Sequence, residues 1–158
     1  VVSEYVDDEE ISDDRFTHLA ELACLGVEAD TSLIALIKGD QQVFKAAYNL
    51  PEPWASWGET PLSHSIGVHV VELNKLLVIE DTLRHPLVHN CPIIADLSVY
   101  AYMGYPIHGT EGRAIGSVCI IQNSVRHWTA QQKRFLTLTG QLVDQEIERV
   151  GEDTFINS

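Results

Sequence analysis

The chain has 158 residues, a formal net charge of −13 and three cysteines, and a length at which one hydrophobic core can stand without disulfides or metals. The acidic balance excludes general attraction to phosphate backbones and anionic lipid, which requires clustered Lys and Arg, so neither nucleic acid nor a membrane is an expected partner. There is no run of eighteen apolar residues and no basic-then-apolar leader, and Cys24, Cys91 and Cys119 are widely spaced and odd in number, so reduced thiols and a cytoplasmic location are expected.

Residues 1–14 hold seven carboxylates with little periodicity, which predicts an acidic flexible leader over residues 1–12. The first residue is Val and the sole Met is Met103, so the sequence reads as a processed or excised piece. A single domain is expected over residues 13–150 and a flexible tail over residues 151–158. From Asp13 or Asp14, a capping residue, Phe16, Leu19, Ala20, Ala23 and Val27 recur at helical spacing, with Gly26 near the helix end.

Residues 31–37 are a short run apolar on both faces, and Lys38-Gly39-Asp40-Gln41 turns the chain into a second run over residues 43–48. Lys45 interrupts that run and places it nearer a sheet edge. Pro51 and Pro53 break regular structure. Leu62, Ile66, His69, Val70 and Leu73 then suit a helix capped near Thr60 or Ser63. Residues 76–79 read as a short buried strand, residues 81–91 as a polar loop with one helical turn, and residues 92–97 as another turn.

Residues 100–122, YAYMGYPIHGTEGRAIGSVCIIQ, hold two apolar runs joined by Gly109-Thr110-Glu111-Gly112, a β-hairpin feeding a helix. Both faces of the second run are apolar, so it belongs inside a sheet. The last helix starts at Thr129, with Gln132 at the reciprocal position of a capping box. Phe135, Leu138, Leu142, Val143, Ile147 and Val150 mark its apolar stripe. The stripe packs on the sheet, and its length also allows a helix–helix contact with a second copy. The order of elements defines an α+β fold with a central antiparallel sheet and helices segregated around it.

In order and spacing, RFTHLAELA, TSLIALIKGDQQVFKAAYNLP, ETPLSHSIGVHVV, LLVIEDTLRHPLV, AYMGYPI, GRAIGSVCIIQ and WTAQQKRFLTLTGQLV resemble the GAF domain family of bacterial signalling proteins, over residues 16–147. The LPEPWASWGETPLSHSI version is similar to domains placed ahead of histidine kinases, diguanylate cyclases and serine phosphatases. The resemblance implies a GAF-like (profilin-like) fold with terminal helices on one sheet face and a ligand-pocket helix and loop, residues 63–74 and 81–97, on the other. It also implies a non-catalytic sensory or regulatory role: an unidentified small-molecule ligand, homodimerisation through the terminal helices, or both. No catalytic signature of those effectors occurs in the sequence, so an effector domain or partner protein outside this chain would carry the output. Haem or bilin binding is the alternative, and thiol-dependent methionine sulfoxide reduction a further one.

The candidate ligand contacts are Trp57, His69, Tyr100, Tyr102 and Cys91. His69 lies on an otherwise apolar helix stripe, where it would hydrogen-bond a ligand or hold haem, or else be a satisfied core residue. Tyr100 and Tyr102 share one strand face and Met103 and Tyr105 the opposite one; either pair could line a pocket, with the tyrosines as selectivity groups or as core. Trp54 and Trp57 flank a Pro-rich stretch that would form a lid or simply pack. Cys91 stands where a bilin would attach, but Pro92 follows it instead of histidine. The reductase motif's cysteine is replaced by Gly67, and Cys91 has no evident resolving partner. The family's strand-ending aspartate corresponds to Asp81, a turn cap. His85 and His89, or His64 and His69, could supply nitrogen ligands, yet Pro86 and the lack of a cysteine pair leave no expected metal site. An enclosed, polar-lined cavity would favour sensing, and a filled one would favour dimerisation alone.

Overall fold

In the computed structural model residues 14–158 are described; the leader expected over residues 1–12 lies outside them. Helix α1 (Arg15–Val27) begins at Asp14, whose carboxylate accepts the Phe16 and Thr17 N–H groups, the normal remedy for unpaired donors at a helix start. Ala20, Ala23, Cys24 and Val27 form its buried stripe. The helix ends through Glu28 in the left-handed region (φ 59°). Its last carbonyls, Val27 and Glu28, accept the Arg126 guanidinium at 2.7 and 2.8 Å, while Arg126 also stacks 4.5 Å over Trp128.

Strands β1 (Thr31–Lys38) and β2 (Gln41–Tyr48) form the first hairpin. A four-residue helix α2 (Trp54–Trp57) follows, then strand β3 (Glu59–Pro61) and one 3₁₀ turn (Leu62–His64). Helix α3 (Gly67–Leu73), strand β4 (Leu77–Ile79), a 3₁₀ turn (Thr82–Arg84) and helix α4 (Ile93–Leu97) lead to the second hairpin. That hairpin is β5 (Ala101–His108) and β6 (Ala114–Gln122), followed by the long α5 (Ala130–Val150) and a short α6 (Glu152–Asn157). All pairings are antiparallel, in the order β3-β2-β1-β6-β5-β4. The apolar β6 is therefore interior, between β1 and β5, as its two-faced pattern requires.

The terminal helices cover one face. There Trp128, Leu136, Val143, Ile147 and Phe155 bury against Ile34, Met103, Ile107 and Ile120. Gly140 lets α5 approach the sheet, because a Cβ at that position would collide with the Tyr105 ring. The Thr129–Gln132 capping box is present, with bonds of 3.1 and 2.9 Å. On the other face Ile66, Val70, Ile79, Val88, Ile93, Ile94 and Tyr102 make a second core beneath α3 and α4.

Four expectations are corrected. Thr60 and Ser63 cap no helix: Glu59–Pro61 pairs with β2 as an edge strand, and the helix starts only at Gly67, where the Ser65 hydroxyl accepts the Val68 N–H at 3.1 Å. On α5 the buried line runs through Leu136, Thr139, Gly140, Val143 and Ile147, which leaves Leu138 and Leu142 exposed. The flexible tail of residues 151–158 is replaced by α6. Its Phe155 is buried with its ring 4.9 Å from that of Phe16, and Glu152 takes Thr110 Oγ1 at 3.0 Å and Arg113 Nη2 at 3.3 Å. Asp81 makes no cap; its carboxylate lies 3.6 Å from Arg84, and the Thr82 hydroxyl holds the loop by donating to the Val99 carbonyl at 2.7 Å.

Candidate functional site

Alternation along β5 and β6 decides which side chains reach the pocket face. Tyr102, Cys119 and Ile121 point beneath α3 and α4, whereas Met103, Val118 and Ile120 point beneath α1 and α5. A cavity of about 30 Å³ lies there, room for roughly one or two water molecules. Leu33, Phe44, Trp54, Ile66, Ile93 and Ile121 supply apolar walls. Its polar lining comes from Gln42, Thr60, His64, Tyr102 and Cys119.

The polar lining is wired across three elements. Ser65 Oγ donates to Gln42 Oε1 at 2.7 Å, and Gln42 Nε2 donates to Thr60 Oγ1 at 3.2 Å, all buried. Together with the Val68 N–H to Ser65 bond, this ties the start of α3 to β2 and β3. At the rim, His64 Nε2 stands 3.8 Å from Asp96 of α4.

Tyr102 is 3% exposed, and its hydroxyl is the buried side-chain polar atom without a hydrogen-bond partner among the described residues. It reaches over Gly104, where a Cβ would stand 2.8 Å from the hydroxyl oxygen and 2.7 Å from Val70 Cγ2. Only a residue lacking that carbon gives the phenol its place. The Cys119 thiol and Ser117 hydroxyl are near enough to bias its ionisation. Burial raises the phenol well above its usual range, so it stays protonated and acts as a donor.

Of the five candidate ligand contacts only Tyr102 lines the cavity, together with Trp54 and His64, which the sequence suggested as a lid residue and a nitrogen ligand. Tyr100 packs half-buried against the same core without reaching it. Trp57 is 60% exposed, edge-on to Trp54 at 5.1 Å, and it is Trp54 that closes the wall. His69 is on the outer side of α3, 3.9 Å from Glu72. Cys91 is partly buried beside the rim, its thiol 3.7 Å from the Ser63 carbonyl, and burial raises its pKa. Burial pushes the Cys119 thiol up to about 12. No group of three or more His, Cys, Asp or Glu among the described residues could hold a metal ion. Sequence reasoning passed over Gln42 and took Thr60 only as a helix cap; no local signal marks either as a cavity residue, because β2 is half-buried along its length.

A second arrangement joins the two faces. His108, at the end of β5, binds Asp144 of α5 through its backbone N–H (2.7 Å) and Nδ1 (2.8 Å). Its Nε2 lies 2.7 Å from the Oδ1 of Asn74, the residue that ends α3 in a left-handed turn. One imidazole thus spans from the pocket helix to the C-terminal helix.

An antiparallel sheet with a small cavity on one face and the terminal helices on the other defines an α+β module. The model of the GAF domain matches residues 12–147, and the chain belongs to that family of sensory and regulatory signalling domains. Among solved structures it is similar to a domain assigned to a two-component sensor histidine kinase of Sinorhizobium meliloti, at 15% identity and TM-score 0.69, covering 88% of this chain and 94% of that one. It is similar also to the type II free methionine-R-sulfoxide reductase of Thermoplasma acidophilum (14%, TM-score 0.68, 90% and 96% covered). The cyanobacteriochrome receptor PixJ is comparable (16%, TM-score 0.67, 86% and 94% covered). Identities this low carry the fold alone. No curated protein sequence matches the chain, and no helix among the described residues is long and apolar enough to cross a membrane.

Proposed function

We propose that the chain is a non-catalytic regulatory domain that senses a small molecule on the α3–α4 face of its sheet. The terminal helices report the ligand state to an effector outside this chain. The observation that carries this reading is His108, which ties the helix over the cavity to α5 through bonds of 2.7 to 2.8 Å. A ligand that binds two helix arrangements unequally shifts the balance between them, and a direct bridge gives that shift a route.

The output side supports pairing with a second copy. Leu22 and Leu25 on α1 and Leu138 and Leu142 on α5 are exposed on helices that cover the same face of the sheet. Three free thiols suit a reducing cytoplasm. Thiol catalysis is disfavoured because burial raises the pKa of both Cys91 and Cys119, and the thiolate is the nucleophile. Tetrapyrroles fit poorly: the cavity is about 30 Å³, and no Lys or Arg lines it to meet a propionate.

Two measurements test the reading. Sedimentation velocity of the full chain should show a dimer that the double variant Leu138→Glu, Leu142→Glu converts to monomer with unchanged circular dichroism. A thermal-shift screen should find a ligand, which at a hundred times Kd stabilises the fold by about 2.7 kcal/mol. A monomer that responds to no compound class would sink it.

A further inference from the structure

We infer that the cavity beneath α3 binds a small, uncharged, largely apolar molecule bearing one hydrogen-bond acceptor, and that the Tyr102 hydroxyl reads that acceptor. The inference rests on the sensory reading of the same pocket and narrows it to a ligand class.

A buried donor without a partner lowers stability, and phenylalanine would fill the same ring volume without that penalty. Yet the fold makes room for the oxygen by setting Gly104 beneath it. Of the neighbouring polar groups, the Gln42 amide is engaged at both ends, by Ser65 and by Thr60. The Tyr102 hydroxyl has no partner among the described residues and is a donor with capacity to spare, only 3% exposed and lining the cavity. Groups held in a core against their own stability are the ones to suspect of recognition.

Charge narrows the class further. All ten Lys and Arg residues of the chain fall within the described residues, and none lines the cavity. No carboxylate lines it either. The one basic group at the wall, His64, already faces Asp96 at 3.8 Å. A carboxylate, phosphate or ammonium entering this space would be desolvated without a countercharge, which is prohibitive. A carbonyl or ether oxygen meets the Tyr102 donor and leaves the rest of the molecule to the Ile93, Ile121 and Phe44 walls. At about 30 Å³ the space holds one or two waters, so even a compact molecule of four heavy atoms enters by moving Trp54 or Leu97 aside.

The test uses three probes of matched size on the full chain: acetone, acetate and 2-methylpropene. Binding is read from the methyl NMR signals of Ile66, Ile93 and Ile121. Acetone and 2-methylpropene should shift these methyls in a saturable way and acetate should not. Tyr102→Phe should weaken acetone about fivefold, the worth of one net hydrogen bond, leave 2-methylpropene unchanged, and raise the thermal midpoint of the ligand-free protein. Acetate binding as tightly as acetone overturns the inference, as does equal binding of acetone to the parent and to the Tyr102→Phe variant. A variant less stable than the parent, with acetone binding intact, assigns the hydroxyl to packing and also overturns it. If only charged compounds move the methyls, the ligand class is wrong and the sensory reading stands; if no compound of any class does, both fail.

Discussion

On the face covered by α1, α5 and α6, the sheet is packed with large apolar side chains; buried Ser32, Thr139 and Trp128 bond to main chain, while the buried Glu146 carboxylate pairs with Arg149. Ser32 Oγ donates to the Ala20 carbonyl, Thr139 Oγ1 to Phe135, and Trp128 Nε1 to Ile79. On the face covered by α3 and α4, Ser65, Gln42 and Thr60 bond to one another, Thr82 bonds to the Val99 carbonyl, and one phenol is left over. Main-chain partners are fixed by secondary structure, so the first face is a rigid mount for the helices. Side-chain networks depend on the elements that bring them together, so the second face can rearrange when α3 or α2 moves. The contrast shows where a regulatory module can keep an imperfect core without losing its frame.

That contrast is open to attack. Leu136→Ala, in the dry core, should cost about 4 kcal/mol, and Ile93→Ala about 2 kcal/mol, because Ile93 is 7% exposed and already borders a void. Urea unfolding of both variants measures the gap, and equal losses would remove the distinction between the faces. Thr129→Ala removes half of a capping box and should cost about 1 kcal/mol by the same assay. Tyr102→Phe should stabilise by about 1 kcal/mol, a change of opposite sign that only an unpartnered hydroxyl produces.

The smallest effect concerns pH. The Trp128 N–H, and then His127, hold the Glu80 carboxyl below the usual carboxylate range. A depressed folded pKa means that the ionised group favours the fold above the unfolded value of about 4.3. That contribution fades as pH falls through the folded value. Glu80→Gln should therefore lower the thermal midpoint slightly at pH 7 and leave it unchanged near pH 2. A constant difference across that range would assign the loss to shape instead of charge.

Much of the frame was readable along the chain, for reasons that are local. Asp14 and Thr129 announce helices because their side chains cap the donors two or three residues on. The two hairpins follow from apolar runs bounded by Gly39-Asp40 and by Gly109–Gly112 turns. Where the reading failed, the decisive partner was distant. Residues Glu59–Pro61 are a strand because β2 offers an edge, and α6 is a helix because Phe155 finds Phe16 across the helix layer. Trp57 was chosen over Trp54, three residues away on α2, since nothing local shows which of the two faces inward.

The sequence by itself determined the α+β class, the family, the interior position of β6 and the capped ends of α1 and α5. Those depend on periodicity and on contacts within a few residues, which the order of amino acids specifies directly. The tertiary structure decided the rest: a cavity shaped by β1, β2, β3, β5, β6, α2, α3 and α4, the Gln42–Thr60–Ser65 network, the unpartnered phenol above Gly104, and the His108 bridge between faces. Each of these requires side chains from elements far apart in the chain to meet at hydrogen-bond distance, and that meeting is fixed only when the sheet order and the packing of both helix layers are fixed together.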